Sequence, residues 1–448
     1  MKKFIESISN VWKIEELKNR ILITLGLLLV YRFGAHVTLP GIDATQLTTL
    51  AGQTKSGIGS ILDMFTGGAF SKASVFALGI MPYISASIVV QLMGIAIPYL
   101  QKLQSDGESG RKKINQITRW LTIGITLLQG PTYIYNLYRT LPSSAFLLGF
   151  NSFEFLFSSV IILVTGTIFA MWLGEKITDK GIGNGISLLI MVGILARFPQ
   201  AFIQEFTTRV TNNNGGPMLL VIEIIIWLLV IVACVLLTMA IRKIPVQYAR
   251  RTTSGDYEQD LMGGNRQWIP LKLNASGVMP IIFAQAIMFI PAAVAGLSKS
   301  EASQSIAGAF SNMFGFWYNF LFATLIVVFT FFYTAITVPT NKMSDDLKRS
   351  GGFIPGVRPG AETSDFLDKV MSLITFPGSL FLALIAVFPA IVVSVMDVQQ
   401  SWAMFFGGTS LIIMVGVAID TIQQINSYLL NKHYDGLMKS GKNRKAVA

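Results

Sequence analysis

The residue types that most often do chemistry in proteins are scarce in this chain and poorly placed for it. Its 448 residues include two histidines, His36 and His433, and a single cysteine, Cys234. A metal site needs three or four clustered histidine, cysteine or carboxylate ligands, and an internal disulfide needs a second cysteine. We therefore expect no metal site, no cofactor and no internal disulfide, and no hydrolase triad is visible.

Two glycine-rich segments are the nearest approach to a phosphate-binding loop. They are Gly181-Ile-Gly-Asn-Gly185 and Gly107-Glu-Ser-Gly110. A phosphate loop has a defined glycine spacing between a strand and a lysine-bearing helix start, and neither segment has that spacing and context. Because enzymatic chemistry has no visible site, we expect a protein that is not an enzyme.

The predicted secondary structure consists mainly of apolar helices. Hydrophobic residues make up 52% of the chain and charged residues only 13%, against about 25% charged in soluble domains. Apolar runs recur that are long enough to cross a hydrocarbon core of about 30 Å. We predict ten membrane spans, at residues 21–39, 74–98, 118–139, 153–174, 183–200, 217–241, 275–296, 316–338, 370–396 and 403–430.

The basic residues predict how these spans are oriented. Most of the 35 lysines and arginines fall in the two terminal tails and in every second loop. The opposite side holds only Arg32, Lys55, Lys72, Arg139, Arg197, Arg209 and Lys299. Since basic loops stay in the cytoplasm, we expect both termini there, and the net charge of +11 mostly reflects this topology.

Ionisable residues are nearly absent from the predicted spans, where ion-coupled transporters place them. Asp420 is the one deep acid, whereas Glu223 and Asp397 fall near span ends, within reach of interfacial water. A secondary transporter with broken helices stays open as the alternative function, although the coupling residues are missing.

Two long polar loops, at 242–274 and 339–369, are predicted on the cytoplasmic side. The first reads as a hairpin, with strands near residues 244–251 and 268–272. The second contains a tightly turned stretch, Gly351–Gly360, that presents Arg358. Loops of this length are often functional, so docking of a partner and simple topological anchoring both remain open.

A short apolar turn, Ile61–Phe65, is stopped by Gly67 and Gly68 just before the second span. It is too short to cross a bilayer, since a spanning helix needs about 20 residues. Taken alone, the pattern favours an ordinary external loop with one helical turn.

Five motifs resemble the SecY family, the channel-forming subunits of the bacterial Sec protein translocase. The motifs are Phe76–Ser87, Asp106–Lys113, Trp172–Ser187, Gly356–Gly360 and Gly407–Ser410. They occur in the same order as in the family, and the resemblance covers essentially the whole chain.

The resemblance implies an all-α membrane protein of ten transmembrane helices. They would form two pseudo-symmetric five-helix halves around a central pore, with a short re-entrant plug helix. The implied parts are a cytoplasmic amphipathic segment at 1–20, an N-terminal half at 21–215 with the plug at about 57–70, a C-terminal half at 216–430 with cytoplasmic loops 242–274 and 339–369, and a basic cytoplasmic tail at 431–448.

The family's functional residues map onto three sets of positions. An aliphatic pore ring is implied at Ile80, Ile84, Ile186, Ile190, Ile282 and Ile413. The plug maps to Ile61, Leu62, Met64, Phe65, Gly67 and Gly68. Cytoplasmic docking residues are implied at Arg242, Lys243, Arg250, Arg251 and Arg358.

The implied function is the central protein-conducting channel of the Sec translocon in the bacterial inner membrane. Such a channel moves unfolded polypeptides across the membrane and releases transmembrane segments sideways into lipid. The implied partners are SecE and SecG, the SecA motor ATPase, the ribosome, signal peptides and nascent chains. A membrane insertase without a pore is a third possibility, and the near absence of deep charges argues against it.

Overall fold

The structure is a computed structural model that describes residues 12, 14–47, 63–142, 145–146, 152–211, 216–248, 266–285, 287–288 and 312–445. The helices are α1 Glu15–Gly34, α2 Met81–Ala96, α3 Pro98–Ser105, α4 Gly107–Thr140, α5 Ser152–Lys180, α6 Gly185–Thr211, α7 Gly216–Met239, α8 Phe316–Thr337, α9 Thr340–Arg349, α10 Ala361–Met396, α11 Gln400–Ala403 and α12 Gly408–Lys445. The strands are β1 Ile241–Tyr248, β2 Arg266–Lys272 and β3 Gly352–Phe353. The predicted plug residues Ile61 and Leu62 and the predicted docking residues Arg250 and Arg251 lie outside the described residues.

Within the described part of the chain, six helices are long and apolar enough to cross a membrane. They are Phe153–Lys180, Gly185–Thr211, Gly216–Met239, Phe316–Arg349, Ala361–Met396 and Gln400–Leu430. The broken pair formed by α2 and α3 makes a seventh if it is taken as one span. The protein is therefore a multi-pass membrane protein, and the count of ten spans stays a prediction.

The second predicted span is not continuous helix. Residues 66–80 form successive turns, α2 begins only at Met81, and it ends at Ala96. Gly79, inside the predicted span, has a φ of +54°, a region that an α-helix does not use. Ile97 is extended because a proline follows it. Hydropathy alone could not show these breaks, since the residues involved are as apolar as a helix requires.

The chain divides into two compact units. The first contains Met1–Thr207, Gln400–Trp402 and Val417–Ala448, and the second contains Thr208–Gln399 and Ala403–Gly416. In the first unit α4 packs against α2, α3 and α5, and α5 also packs against α1. In the second unit α10 packs against α7, α8 and α9.

A three-stranded sheet joins the two long loops that were predicted as separate excursions. β1 pairs antiparallel with β2, placing Ile244 opposite Ile269, which confirms the predicted hairpin. β3, from the second loop, adds to the other edge of β1 through the pair Gln247 and Phe353. Val246 and Ile354 are buried beneath the sheet in one apolar cluster. The described parts of the two loops therefore form one platform.

The glycines of the Gly181–Gly185 segment have a packing role. A Cβ atom on Gly185 would lie 2.0 Å from the carbonyl oxygen of Gly174, so only glycine fits between α5 and α6. Gly183 has a φ of +82°, and its N–H donates to Oε1 of Gln424 at 2.8 Å. Tight helix packing explains this motif.

A buried ion pair connects the end of α6 to α7. Arg209 Nη2 lies 2.9 Å from Glu223 Oε1, and the two side chains are 3% and 0% exposed. Arg209 also donates to the carbonyl oxygens of Met396 and Asp397 at the end of α10, where helix carbonyls lack partners within the helix. The expectation that interfacial water reaches Glu223 was wrong, because the surrounding residues cover its carboxylate and Arg209 neutralises it.

Replacing Arg209 with methionine should strongly destabilise the protein. Removing one partner of a buried ion pair leaves an uncompensated charge and costs about 3–5 kcal/mol. Thermal unfolding of the purified protein measures the loss, and Arg349→Met, at an exposed position on α9, is the matched control. The double variant Arg209→Met, Glu223→Gln should recover part of the stability. Equal unfolding temperatures for the Arg209 variant and the control would contradict this expectation.

Candidate functional site

The segment of residues 63–72, called segment 63–72 below, folds back into the first unit. Asp63, Met64 and Phe65 form one helical turn, and all three are no more than 7% exposed. Gly67 and Gly68 follow with φ values of +65° and +90°, which end the turn because side-chain-bearing residues avoid this region. Segment 63–72 is thus a short buried element, although its neighbours are long apolar helices.

An ionic cluster ties segment 63–72 to α6. The Asp63 carboxylate forms an ion pair with the Arg197 guanidinium and accepts the backbone N–H of Ser71 at 2.8 Å. Arg197 Nη2 donates to Ser71 Oγ at 3.0 Å. One arginine therefore reaches both ends of the segment, and charge-assisted hydrogen bonds of this type are the stronger ones in proteins.

Three contacts to the backbone of the segment complete the attachment. Arg32 on α1 donates from Nη1 to the Gly67 carbonyl oxygen at 2.7 Å. A Cβ atom on Gly193 would lie 2.6 Å from the Phe65 carbonyl oxygen, so the segment touches the backbone of α6 directly. Gly193, which falls within the predicted fifth span, is needed for this approach. The Tyr133 hydroxyl also donates to the Phe70 carbonyl oxygen at 2.8 Å.

The six predicted ring isoleucines are all buried or half-buried. Ile80 precedes α2 and accepts the N–H of Ile84 at 3.1 Å, which keeps these two side chains one helical turn apart. The positions with low exposure are Ile80 at 4%, Ile190 at 7% and Ile413 at 3%. Ile84, Ile186 and Ile282 are half-buried. Four of the six belong to the first unit, and Ile282 and Ile413 belong to the second; their common ring stays a prediction.

Arg358 combines a constrained backbone with an exposed side chain. Its side chain is 87% exposed and forms one long ion pair, in which Nη1 lies 3.8 Å from Glu362 Oε1. Thr363 Oγ1 donates to the Arg358 carbonyl oxygen at 2.8 Å, and Ser344 Oγ donates to the Gly360 carbonyl oxygen at 2.6 Å. The guanidinium is therefore presented to solvent from a turn that loses little entropy on binding.

Of the other predicted docking residues, Arg242 and Lys243 lie on β1, and both are exposed. β1 pairs with β3, five residues before Arg358, so these cations and Arg358 belong to the same sheet-and-turn platform. In the described ranges no group of three or more histidine, cysteine, aspartate or glutamate side chains is placed to hold a metal ion.

The Asp63–Arg197 cluster is the part of the site that sequence reasoning missed. The available signal was a single acid, Asp63, within an otherwise uncharged stretch running from Gly57 to Phe70. A buried carboxylate requires a partner. Its identity could not be read from the sequence, because Arg197 lies on a different helix, 134 positions further along the chain.

Comparisons of the sequence and of the fold with known proteins point to the same family. The profile of the SecY family matches residues 74–422. The protein translocase subunit SecY of Haemophilus influenzae is 40% identical over 427 residues, covering 95% of this chain and 94% of that protein. The SecY subunit of Streptomyces scabiei is 37% identical over 449 residues, covering 96% of this chain and 99% of that protein.

Solved structures with a similar fold include two that are reported as channels. One, reported as a protein conducting channel, has a TM-score of 0.55 and 17% identity over 92% of each chain. Another concerns the plug domain of the SecY protein and has a TM-score of 0.60, also at 17% identity over 92% of each chain. The yeast Ssh1 complex bound to the 80S ribosome has a TM-score of 0.56 at 14% identity, over 91% of this chain and 89% of that one.

The apolar helices define a multi-pass membrane protein, and its fold is the one found among these solved structures. The chain belongs to the SecY family.

Proposed function

We propose that this protein is the central protein-conducting channel of a bacterial Sec translocon. It moves unfolded polypeptides across the inner membrane and releases transmembrane segments sideways into lipid. Relatives named protein translocase subunit SecY align over nearly the whole chain, and the similar folds are reported as protein-conducting channels. The proposal includes ten spans in two five-helix halves, with both termini in the cytoplasm.

The observation that carries this proposal is the buried position of segment 63–72. A short re-entrant element is tolerated at membrane depth only where protein or water surrounds it, and an ion pair is an attachment that can be broken and reformed. We assign it the role of a plug, together with the adjoining residues from 57, that seals the resting pore. The similar SecY structure is reported to have a plug domain that stabilises the closed state and maintains a membrane seal.

The second part of the seal is the aliphatic ring. Isoleucine side chains that converge on a narrow passage exclude ions, because an apolar constriction dewets, and they can still yield to a passing chain. The low exposure of Ile80, Ile190 and Ile413 supports this assignment. Ile84, Ile186 and Ile282 are assigned to the same ring.

The driving force comes from partners. The similar Ssh1 complex is bound to a ribosome, and we assign ribosome and SecA docking to the sheet-and-turn platform that presents Arg242, Lys243 and Arg358. SecE and SecG are proposed as companion subunits. A secondary transporter with broken helices is not supported by the comparisons, since the related proteins carry translocase names.

Removing residues 57–67 should produce a leaking but folded channel. The deletion takes away the ion pair and the seal, while the packing of α2, α4 and α5 stays intact. Single-channel conductance in planar bilayers measures the leak, and it also separates a pore from an alternating-access transporter, which would stay tight. Loss of the protein from the membrane would instead show that this stretch has a structural role.

Replacing Ile413 with asparagine should weaken the seal at the ring. The amide lowers the free energy of water in the constriction, so resting ion conductance should rise several-fold. Export of proteins with defective signal sequences should rise as well, because the signal then does less of the opening work. Ile412→Asn changes a neighbouring buried position and should not reproduce this gain. If resting conductance and export selectivity stay unchanged in Ile413→Asn, Ile413 lies outside the ring.

A further inference from the structure

A cavity of about 320 Å³ opens beside segment 63–72. Its polar lining comes from α1 and the residues just after it, from segment 63–72 and from α6. The polar residues are Arg32, His36, Ser71, Lys72, Arg197 and Gln200. The described lining includes no aspartate or glutamate. The cavity is therefore basic, with hydroxyl and amide groups beside the cations.

Among the described residues, the positive charge of the cavity lining is only partly balanced. Asp63 neutralises Arg197, whereas Arg32 is bonded to the neutral carbonyl of Gly67. Among the described residues, the Lys72 ammonium has no ion-pair partner. Asp43 lies close in sequence to the lining but is not one of the lining residues, and its Oδ1 atom accepts hydrogen bonds from the hydroxyl and the N–H of Thr45 at 2.8 and 3.0 Å.

Residues 48–62, outside the described ranges, cannot supply the missing negative charge. They contain one lysine, Lys55, and no aspartate or glutamate. Burial, and then the Arg32 charge, lower the pKa of Lys72. The second effect places the Lys72 and Arg32 cations near each other, an arrangement that a bound anion stabilises.

We propose that this cavity binds a phosphate-class oxyanion, either free phosphate or the phosphate of an anionic lipid headgroup. Arginine offers a planar fork of donors for phosphate oxygens and lysine adds a compact charge. Arg32 and Lys72 provide the unbalanced charges, and the Gln200 amide provides a neutral hydrogen bond. The Arg197 guanidinium adds to the positive potential of the cavity.

The bound oxyanion also holds segment 63–72 in place, a consequence that rests on the proposed channel function. Lys72 belongs to the segment, whereas Arg32 and Arg197 belong to helices that flank it. Moving the segment away would separate Lys72 from the other cations and dismantle the site. A ligand that binds only the intact site stabilises that state in proportion to its occupancy, so the oxyanion favours the resting channel.

The test uses the full-length protein in phosphatidylcholine nanodiscs. Sodium phosphate is titrated at constant ionic strength, with sodium chloride as the reference, and the unfolding temperature is recorded. We expect phosphate to raise the unfolding temperature of the wild type, with at least a tenfold weaker apparent affinity in Lys72→Gln. Lys348→Gln, at an exposed position on α9, should respond as the wild type does.

A second arm separates the two sources of phosphate. If the lipid headgroup is the ligand, nanodiscs of phosphatidylglycerol raise the unfolding temperature and added phosphate has no further effect. If free phosphate is the ligand, the two lipids give equal temperatures and the titration survives in both. The proposed site would be contradicted if neither phosphate nor phosphatidylglycerol raised the unfolding temperature. It would also be contradicted if Lys72→Gln responded as strongly as the wild type.

Resting conductance tests the regulatory half separately. Whichever ligand raises the unfolding temperature, free phosphate or phosphatidylglycerol, should lower the resting ion conductance of the wild type. It should leave the conductance of Lys72→Gln unchanged. Binding without any change in leak would overturn the coupling to segment 63–72 and leave the binding site standing. The proposed channel function is tested by a different experiment, the deletion of residues 57–67. A failure of the channel proposal would therefore be distinguished from a failure of the anion site.

Discussion

Replacing Asp63 with asparagine should turn the resting channel into a leaking one. Asp63 is 5% exposed, and its loss leaves the Arg197 guanidinium without a counter-charge. A buried pair broken in this way costs about 3–5 kcal/mol, and an exposed pair contributes at most about 1 kcal/mol. Because the Arg197 side chain is 29% exposed, we expect an intermediate cost of about 2 kcal/mol, roughly a 30-fold shift away from the attached segment. Resting conductance in planar bilayers measures the shift.

Two comparisons make this prediction specific. Arg197→Gln should also leak, and the double variant Asp63→Asn, Arg197→Gln should be no worse than either single change, because both single changes break the same interaction. Asp179→Asn removes one carboxylate at an exposed position on α5 and should remain sealed. A resting conductance of Asp63→Asn equal to that of the wild type would show that the ion pair does not hold segment 63–72.

Reversing the charge of Arg358 to glutamate should abolish motor-driven export, with a loss of at least 100-fold. The side chain is 87% exposed, so the change should not affect folding, while a partner carboxylate would meet a like charge instead of a guanidinium. Arg358→Lys should be intermediate, because a lysine retains the charge and loses the bidentate geometry. SecA-dependent translocation of a secretory protein into vesicles is the measurement.

The matched control for Arg358 is Arg349→Glu. Arg349 is also exposed, lies nine residues earlier in the same loop, and carries the same charge. Expression, topology and SecE association should be normal in both variants, and only Arg358→Glu should lose translocation. Full activity of Arg358→Glu would reduce this residue to one of many basic residues that set the topology.

The sequence by itself determined the class of protein and several local features. Membrane insertion depends on the summed transfer free energy of about 20 neighbouring residues, so composition was enough to indicate a multi-pass protein. The β1–β2 hairpin was also predictable, because alternation and turn residues are local signals. The turn that presents Arg358 is set by nearby glycines, Gly356 and Gly360, whose φ values are +86° and +111°.

Tertiary structure alone decided which distant residues meet. β3 joins β1 across about 100 residues of chain, and the close contact of Gly193 with Phe65 depends on how α6 packs. Glu223 looked like an interfacial acid in sequence, and it became a buried partner of Arg209 once the helices surrounded it. The Asp63–Arg197 ion pair and the basic cavity beside it have the same origin. Hydropathy adds up along the chain, whereas the energy of an ion pair depends on distance and burial, which only the packed fold defines.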